Sequence, residues 1–257
     1  MTATLRSTAN DIMNRVAAEV GLEPVEDPWG SSQPEFRQMG YLLNIAGEEL
    51  CQLYQWEFLM REHQVTTQSA DTGDYPLPDD FLYMINQTGW ERAENVPLFG
   101  PLSPQDWQYL LGRDLVSHTI YASFRIQQGA FTIFPQPPPD GLDIVFEYIS
   151  RNWVIDSSVE SGASVQEASQ LALTDRVKVG SDTPVFDRTL LSRLLKVKFL
   201  EAKGLDTTKA QGDLNQMYQM LTSHDKGADI LRAGCNRRAF PYLDGFNSVP
   251  DTGYGKY

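Results

Sequence analysis

Cysteine and histidine are scarce in this chain, and basic charge is outnumbered. Its two cysteines, Cys51 and Cys235, stand far apart. That excludes a disulfide framework and fits a reducing compartment. Its three histidines, His63, His118 and His224, fall in different stretches without His, Cys or Asp partners at ligand spacing. They read as surface or strand residues rather than metal ligands or general bases. No apolar run reaches the length of a membrane span. None follows Met1 as a signal peptide would require, so a soluble intracellular protein is expected. Neither glycine pattern that cradles phosphates occurs, and there is no G-x-S-x-G elbow.

Of the ionisable residues, 34 are acidic and 21 basic, for a net charge of -13. The imbalance is uneven. Residues 1–62 hold 4 basic and 10 acidic side chains, residues 63–186 hold 6 and 16, and residues 187–257 hold 11 and 8. An acidic body repels nucleic-acid backbones. The basic last quarter could face an acidic protein partner or the chain's own acidic N-terminal block.

Both ends of the chain carry helical periodicity. Residues 8–20 predict a short helix, with Thr8 as cap, Asp11 completing a capping-box pattern, and Gly21 as stop. Ile12, Val16 and Val20 share its apolar face. A long helix is expected from about Pro34 to Leu59, with Ser32 as cap and Pro34 in the first turn. Phe36, Met39, Leu43, Ala46, Leu50, Leu53 and Phe58 make one face, widened by Leu42, Ile45, Tyr54 and Trp56. A helix so apolar should meet more than one neighbour. Helix resumes at Asp187, a possible cap, stops at Gly204, and restarts at Asp206 or Thr207. Leu214, Met217, Tyr218 and Leu221 stripe this last helix, which could run to Arg232. The two form a helical hairpin suited to the long helix.

Between these blocks the period changes to two. HQVTTQ and FLYMINQTGWER read as strands around the stiff turn DTGDYPLPDDF. Ser103 opens a short helix over Trp107 to Leu111, and Thr119 to Gln127 alternate as a strand. The most telling stretch is FTIFPQPPPDGLDIVFEYIS, residues 131–150. It reads as a β-hairpin whose prolines cannot continue a paired ladder. LALTDRVKV could add a strand after a polar, serine-rich loop at 157–169. At least five strands with short links suggest a small antiparallel sandwich or barrel. The expected fold is α+β: a helical bundle from residues 1–62 and 187–232, a β-rich insert over 63–186, and an arm over 233–257. The arm has neither helical nor strand period, yet keeps the aromatic anchors Phe240, Tyr242, Phe246 and Tyr254. Extended, it would reach about 80 Å, at roughly 3.3 Å per residue. It could order on a partner or fold back on its own domain.

Chemistry is hard to find. Cys51 sits among leucines and reads as packing. Asp71, Asp74, Asp79 and Asp80 crowd the YPLP turn without EF-hand spacing, so turn chemistry explains them better than calcium. Trp29, Trp56, Trp90, Trp107 and Trp153 scatter over different elements, as core or interface aromatics do. No catalytic residue, metal site or cofactor is expected.

The order of these pieces carries a resemblance. DIMNRVAAEVGL, a long helix ending in WEFL, YPLPDDF, IFPQPPPDGLDIVFEYIS, DTPVFDRTLLSRLLKVKFLEAKGLD and a glycine-aromatic tail follow one another. Together they resemble the head-to-tail adaptors of tailed bacteriophages, the group that includes podophage tail tubular protein A and related tail accessory factors. The resemblance implies a structural virion protein of the neck, made in the host cytoplasm and not an enzyme. It implies a dodecameric homo-oligomeric ring between the portal protein and a tail nozzle or tube protein. Double-stranded DNA would pass through without sequence-specific binding, and no membrane is involved. In that setting Arg237, Arg238, Phe240, Tyr242, Phe246 and Tyr254 are the portal-binding candidates of the arm. Trp56, Phe58, Arg193 and Lys196 are the candidates for packing between subunits. Alternatives are a tail tube or nozzle subunit, or a hydrolase or carbohydrate-binding protein using the β-rich insert.

Overall fold

A computed structural model describes residues 6–68, 70–93, 95–112, 123–158 and 173–225. The elements begin with α1 (Ala9–Val20), α2 (Pro34–Leu53) and a 3-10 turn (Glu57–Leu59). Five strands follow: β1 (Met60–Thr66), β2 (Asp74–Pro76), β3 (Phe81–Met84), β4 (Trp90–Glu91) and β5 (Val96–Pro97). Helix α3 (Pro104–Gly112) precedes β6 (Ser123–Gln127), β7 (Ala130–Phe134) and β8 (Asp143–Ser150). Then come β9 (Val154–Ile155), β10 (Leu173–Thr174), β11 (Thr183–Pro184), α4 (Arg188–Ala202) and α5 (Thr208–Asp225). The fold is α+β with antiparallel sheets.

The chain forms two compact units. Among the described residues, one is built from the stretches 6–65, 75–86 and 145–225, and the other from 66–74 and 87–144.

In the first unit α4 is central, packing against α1, α2 and α5. Leu190, Leu191, Leu194, Leu195 and Phe199 of α4 join Ile12, Met13 and Val16 of α1 and Phe36, Met39, Leu43 and Leu50 of α2 in one core. The helix ends follow local rules. Thr8 Oγ1 accepts the Asp11 N–H at 3.2 Å, and Gly21 closes α1 at φ 80. Asp187 caps α4 by accepting from the N–H groups of Thr189 and Leu190. Pro34 opens α2 as expected, but Gln33, not Ser32, is the cap residue and makes no side-chain cap bond. The expected run of α2 to Leu59 is also corrected. The helix ends at Leu53, where Tyr54 turns extended (φ -154, ψ 151) and lets Trp56 fold back into the core.

Three short strands complete this core: β9 lies between β10 and β11, all antiparallel. Strand β3 pairs antiparallel with β8, with an irregularity between Phe81 and Tyr83. The single strand expected across residues 81–92 is therefore two, β3 and β4, parted by a turn at Gln87 (φ 63). Nor does β8 bury one face alone. Phe146 and Tyr148 are buried on one side and Val145 and Ile149 on the other, with Ile149 in the helical core.

In the second unit β7 pairs antiparallel with β6, and its Ile133 N–H donates to the Gly73 carbonyl just before β2. Ser123 pairs with Phe134 and Gln127 with Ala130, around the turn residues Gln128 (φ 51) and Gly129 (φ 75). Positive φ at both turn residues is the type I′ geometry that suits strand twist. The hairpin expected at 131–150 is thus overturned: β7 pairs with β6, and β8 belongs to a different sheet. The prolines between them form a loop pinned by Thr67, itself 1 % exposed. Its hydroxyl donates to the Pro139 carbonyl at 2.6 Å and accepts the Leu142 N–H at 3.0 Å. Phe124 stacks on Phe131 at 4.8 Å, and Trp107 of α3 meets Phe134 edge-on at 6.3 Å. The residues 119–122 expected at the start of β6 lie outside the described residues.

Helix α5 differs from its neighbours in having no buried residue; Leu214, Met217, Tyr218 and Leu221 only partly cover themselves against the core. Few buried apolar contacts mean a low free energy of local opening. Amides of 208–225 should therefore exchange on the order of 100-fold faster than those of α4 in hydrogen-exchange mass spectrometry on the isolated chain.

Candidate interaction surfaces

The end of α2 is a knot of aromatic rings. Trp56, 3 % exposed, lies 4.9 Å from Tyr54, 5.7 Å from Phe58, 5.9 Å from Phe186 and 6.2 Å from Tyr218. Its Nε1–H donates to the Leu50 carbonyl at 2.8 Å, satisfying one of the acceptors that a helix C-terminus leaves open. The knot also holds α5. The Tyr218 hydroxyl donates to the Leu53 carbonyl, the Tyr54 hydroxyl donates to the Thr222 carbonyl, and Asp225 accepts the Glu57 N–H. Burial pushes the Tyr54 hydroxyl above its ordinary range, and the nearby Asp225 carboxylate adds to it.

The four residues considered for packing between subunits all lie in this helical unit. Trp56 and Phe58 belong to the knot, so their rings face their own chain. Arg193 donates from Nη1 to the Asp213 carbonyl at 2.6 Å, tying α4 to α5. Lys196 pairs with Glu19 of α1 at 3.1 Å, with side chains 30% and 41% exposed. Exposed pairs of this kind contribute little. The sequence reading missed a different surface. On the side of α2 away from the core, Tyr41 is 70 % exposed and Ile45 44 %, one helical turn apart. Ile45 was legible as part of a broadened apolar face; Tyr41 carried no signal beyond the same spacing.

Groups with catalytic potential are occupied or subdued. Burial pushes the Cys51 thiol up to about 12, which keeps it protonated. Burial lowers His63, which packs edge-on against Phe146, while Asp80 opposes that shift. Asp71 accepts the Gln68 N–H, Asp74 the Thr132 hydroxyl, and Asp80 the Tyr148 hydroxyl. Among the described residues no three His, Cys, Asp or Glu side chains gather as a metal site would need. Among them, too, no helix is long and apolar enough to cross a membrane. Arg237, Arg238, Phe240, Tyr242, Phe246, Tyr254, Cys235 and His118 lie outside the described residues, as does most of the 157–169 loop.

Residues 7–225 match the SU10 adaptor protein family. The chain belongs to this family. The match runs from the residue before the α1 cap to the last residue of α5, so it takes in both units. It identifies the adaptor as a bacteriophage head-to-tail adaptor protein, a structural component of the virion neck that works with portal and tail components. No curated protein matches the adaptor significantly.

Proposed function

We propose that this adaptor forms a dodecameric ring between the portal and the tail nozzle or tube, and that packaged DNA passes through it. The family match over residues 7–225 carries the reading. The exposed pair Tyr41 and Ile45 on α2 supports it, because an apolar face uncovered in one subunit is suited to another protein surface. Residues 1–62 and 187–232 form the ring-building base, 63–186 the β-rich insert, and 233–257 the arm that engages the portal. Arg237, Arg238, Phe240, Tyr242, Phe246 and Tyr254 provide that contact. Arg193 and Lys196 lie at the subunit boundary, while Trp56 and Phe58 shape it from within. The net charge of -13 keeps a DNA duplex from adhering.

Deleting residues 233–257 is expected to abolish co-sedimentation with purified portal while leaving the circular dichroism spectrum of the base intact. Normal portal binding by the truncated adaptor would sink the role of the arm. Replacing Tyr41 and Ile45 together by aspartate should prevent ring assembly on the portal without unfolding the subunit, since both side chains face solvent. Native mass spectrometry of the assembled ring gives the copy number, and any count other than twelve would overturn the dodecamer.

A further inference from the structure

Between the first turns of α1 and α4 lies a pocket open to solvent, of about 210 Å³, lined by Ser7, Asp11, Ile12, Arg15, Arg188 and Ser192. Two guanidinium groups and one carboxylate leave its wall net positive in a chain whose first 186 residues hold 26 acidic and 10 basic side chains. Arg188 Nε is buried and has no hydrogen-bond partner among the described residues, and the same holds for Nη1 of Arg6, next in the chain to Ser7. A buried charged donor without a partner is costly, and an anion relieves it. Burial lowers the pKa of Arg6, the same desolvation seen from the proton's side.

Nearby groups do not meet this need. The first amides of α1 are already bonded: Ala9 N–H to the Asp182 carbonyl, Asn10 N–H to the Gly180 carbonyl, and Asp11 N–H to Thr8 Oγ1. The helix terminus is therefore not the donor, and the arginines are. Arg15 has only a long contact to Glu19 at 3.8 Å, and Glu19 is held closer by Lys196 at 3.1 Å. Ser192 gives its hydroxyl hydrogen to the Arg188 carbonyl at 2.6 Å within the first turn of α4, so it is spent on the backbone and not on the guanidinium.

We propose that this pocket is an oxyanion site that takes one phosphate or carboxylate group between Arg15 and Arg188. The planar fork of arginine suits both anions. Two sources supply that chemistry: free phosphate, or an acidic side chain of a second copy of this chain. The site does not depend on the proposed ring; only the second source does.

Inorganic phosphate and acetate are the probes, titrated into the purified full chain against chloride at matched ionic strength. Line broadening of the phosphorus resonance and calorimetry report binding. Saturable binding is expected in the unmodified protein, about tenfold weaker in Arg15→Gln, as loss of one charge-assisted bond implies, and absent in Arg188→Gln. The Arg15 side chain is 43% exposed, so its replacement leaves the fold intact even if Arg188→Gln does not. No saturable binding of either anion, or equal binding in Arg15→Gln, would overturn the site. Sedimentation with bound phosphate then separates the sources. Weakened self-association points to a neighbour's carboxylate, and unchanged self-association points to the free anion.

Discussion

Replacing Gly47 by leucine is expected to prevent the helical unit from folding, and even Gly47→Ala should destabilise it by about 2 kcal/mol. Gly47 lies in the middle of α2, where alanine would ordinarily add about 1 kcal/mol of helix propensity. Here any Cβ falls inside the indole of Trp153, against Cζ2, Cη2 and Cε2. Neither side can give way easily. The α2 backbone is held by packing against α4, and Trp153 is fully buried, tilted against Phe186 at 5.9 Å. The backbone of Trp153 is fixed as well, donating its N–H to the Thr174 carbonyl and accepting the Val185 N–H. Overpacking of this kind costs about 1–3 kcal/mol or more, which outweighs the propensity gain. A partner substitution isolates the cause. Trp153→Phe removes the ring atoms that Cβ would strike and also the Nε1–H, which has no partner among the described residues. Gly47→Ala combined with Trp153→Phe should thus be about as stable as Trp153→Phe alone. Urea denaturation of the four proteins measures the coupling. A Gly47→Ala protein as stable as the parent would refute the close approach.

Local signals were legible wherever neighbours in sequence decide the outcome. The Thr8 and Asp187 caps, the Gly21 stop and the start of α2 at Pro34 all depend on residues within one turn. The end of α2 was not legible, because Tyr54 to Phe58 continue its apolar pattern. Packing of Trp56 against Phe186 and Tyr218, far along the chain, draws the backbone out of the helix instead. The 131–150 stretch shows the same limit for strands. Alternation marks which residues share a face, but it says nothing of the neighbouring strand, which is set by tertiary packing. The better hairpin signal was Gln128-Gly129, a short turn ending in glycine between two alternating runs.

The interaction surfaces were less legible still. Arg15 and Arg188 belong to opposite ends of the sequence and meet only because α1 packs on α4. The family order could be read from the chain because each motif is a local feature. The role of single residues could not. Trp56 looks the same in sequence whether it turns toward a neighbour or, as here, toward its own core.

Asp182→Ala should be nearly as damaging as Gly47→Leu, at about 3–5 kcal/mol, because one buried carboxylate organises the loop before β11. Asp182 is 2 % exposed. Its Oδ2 accepts the N–H groups of Lys178 at 2.8 Å and Val179 at 2.9 Å, and its Oδ1 accepts the Ser157 N–H at 3.1 Å. Its own carbonyl receives the Ala9 N–H, so the loop it shapes also anchors the first turn of α1. Alanine would leave these three part-buried N–H groups without their shared acceptor, each worth about 1–3 kcal/mol. Burial alone would push the carboxyl up. The N–H donors of Val179, Lys178 and Ser157 together outweigh it and hold the carboxyl below its ordinary range. In the unfolded chain the group returns to about 3.9. Its contribution is therefore complete above that value and is lost as pH falls through the lower, folded value. Asp182→Asn keeps the shape but cannot titrate, and its amide group turns a donor toward donors. It should be less stable at neutral pH, and below about pH 4 its stability should fall less steeply than that of the parent. Urea unfolding at a series of pH values measures both slopes. Parallel slopes in the two proteins would show that the Asp182 carboxylate does not carry this share of the acid sensitivity.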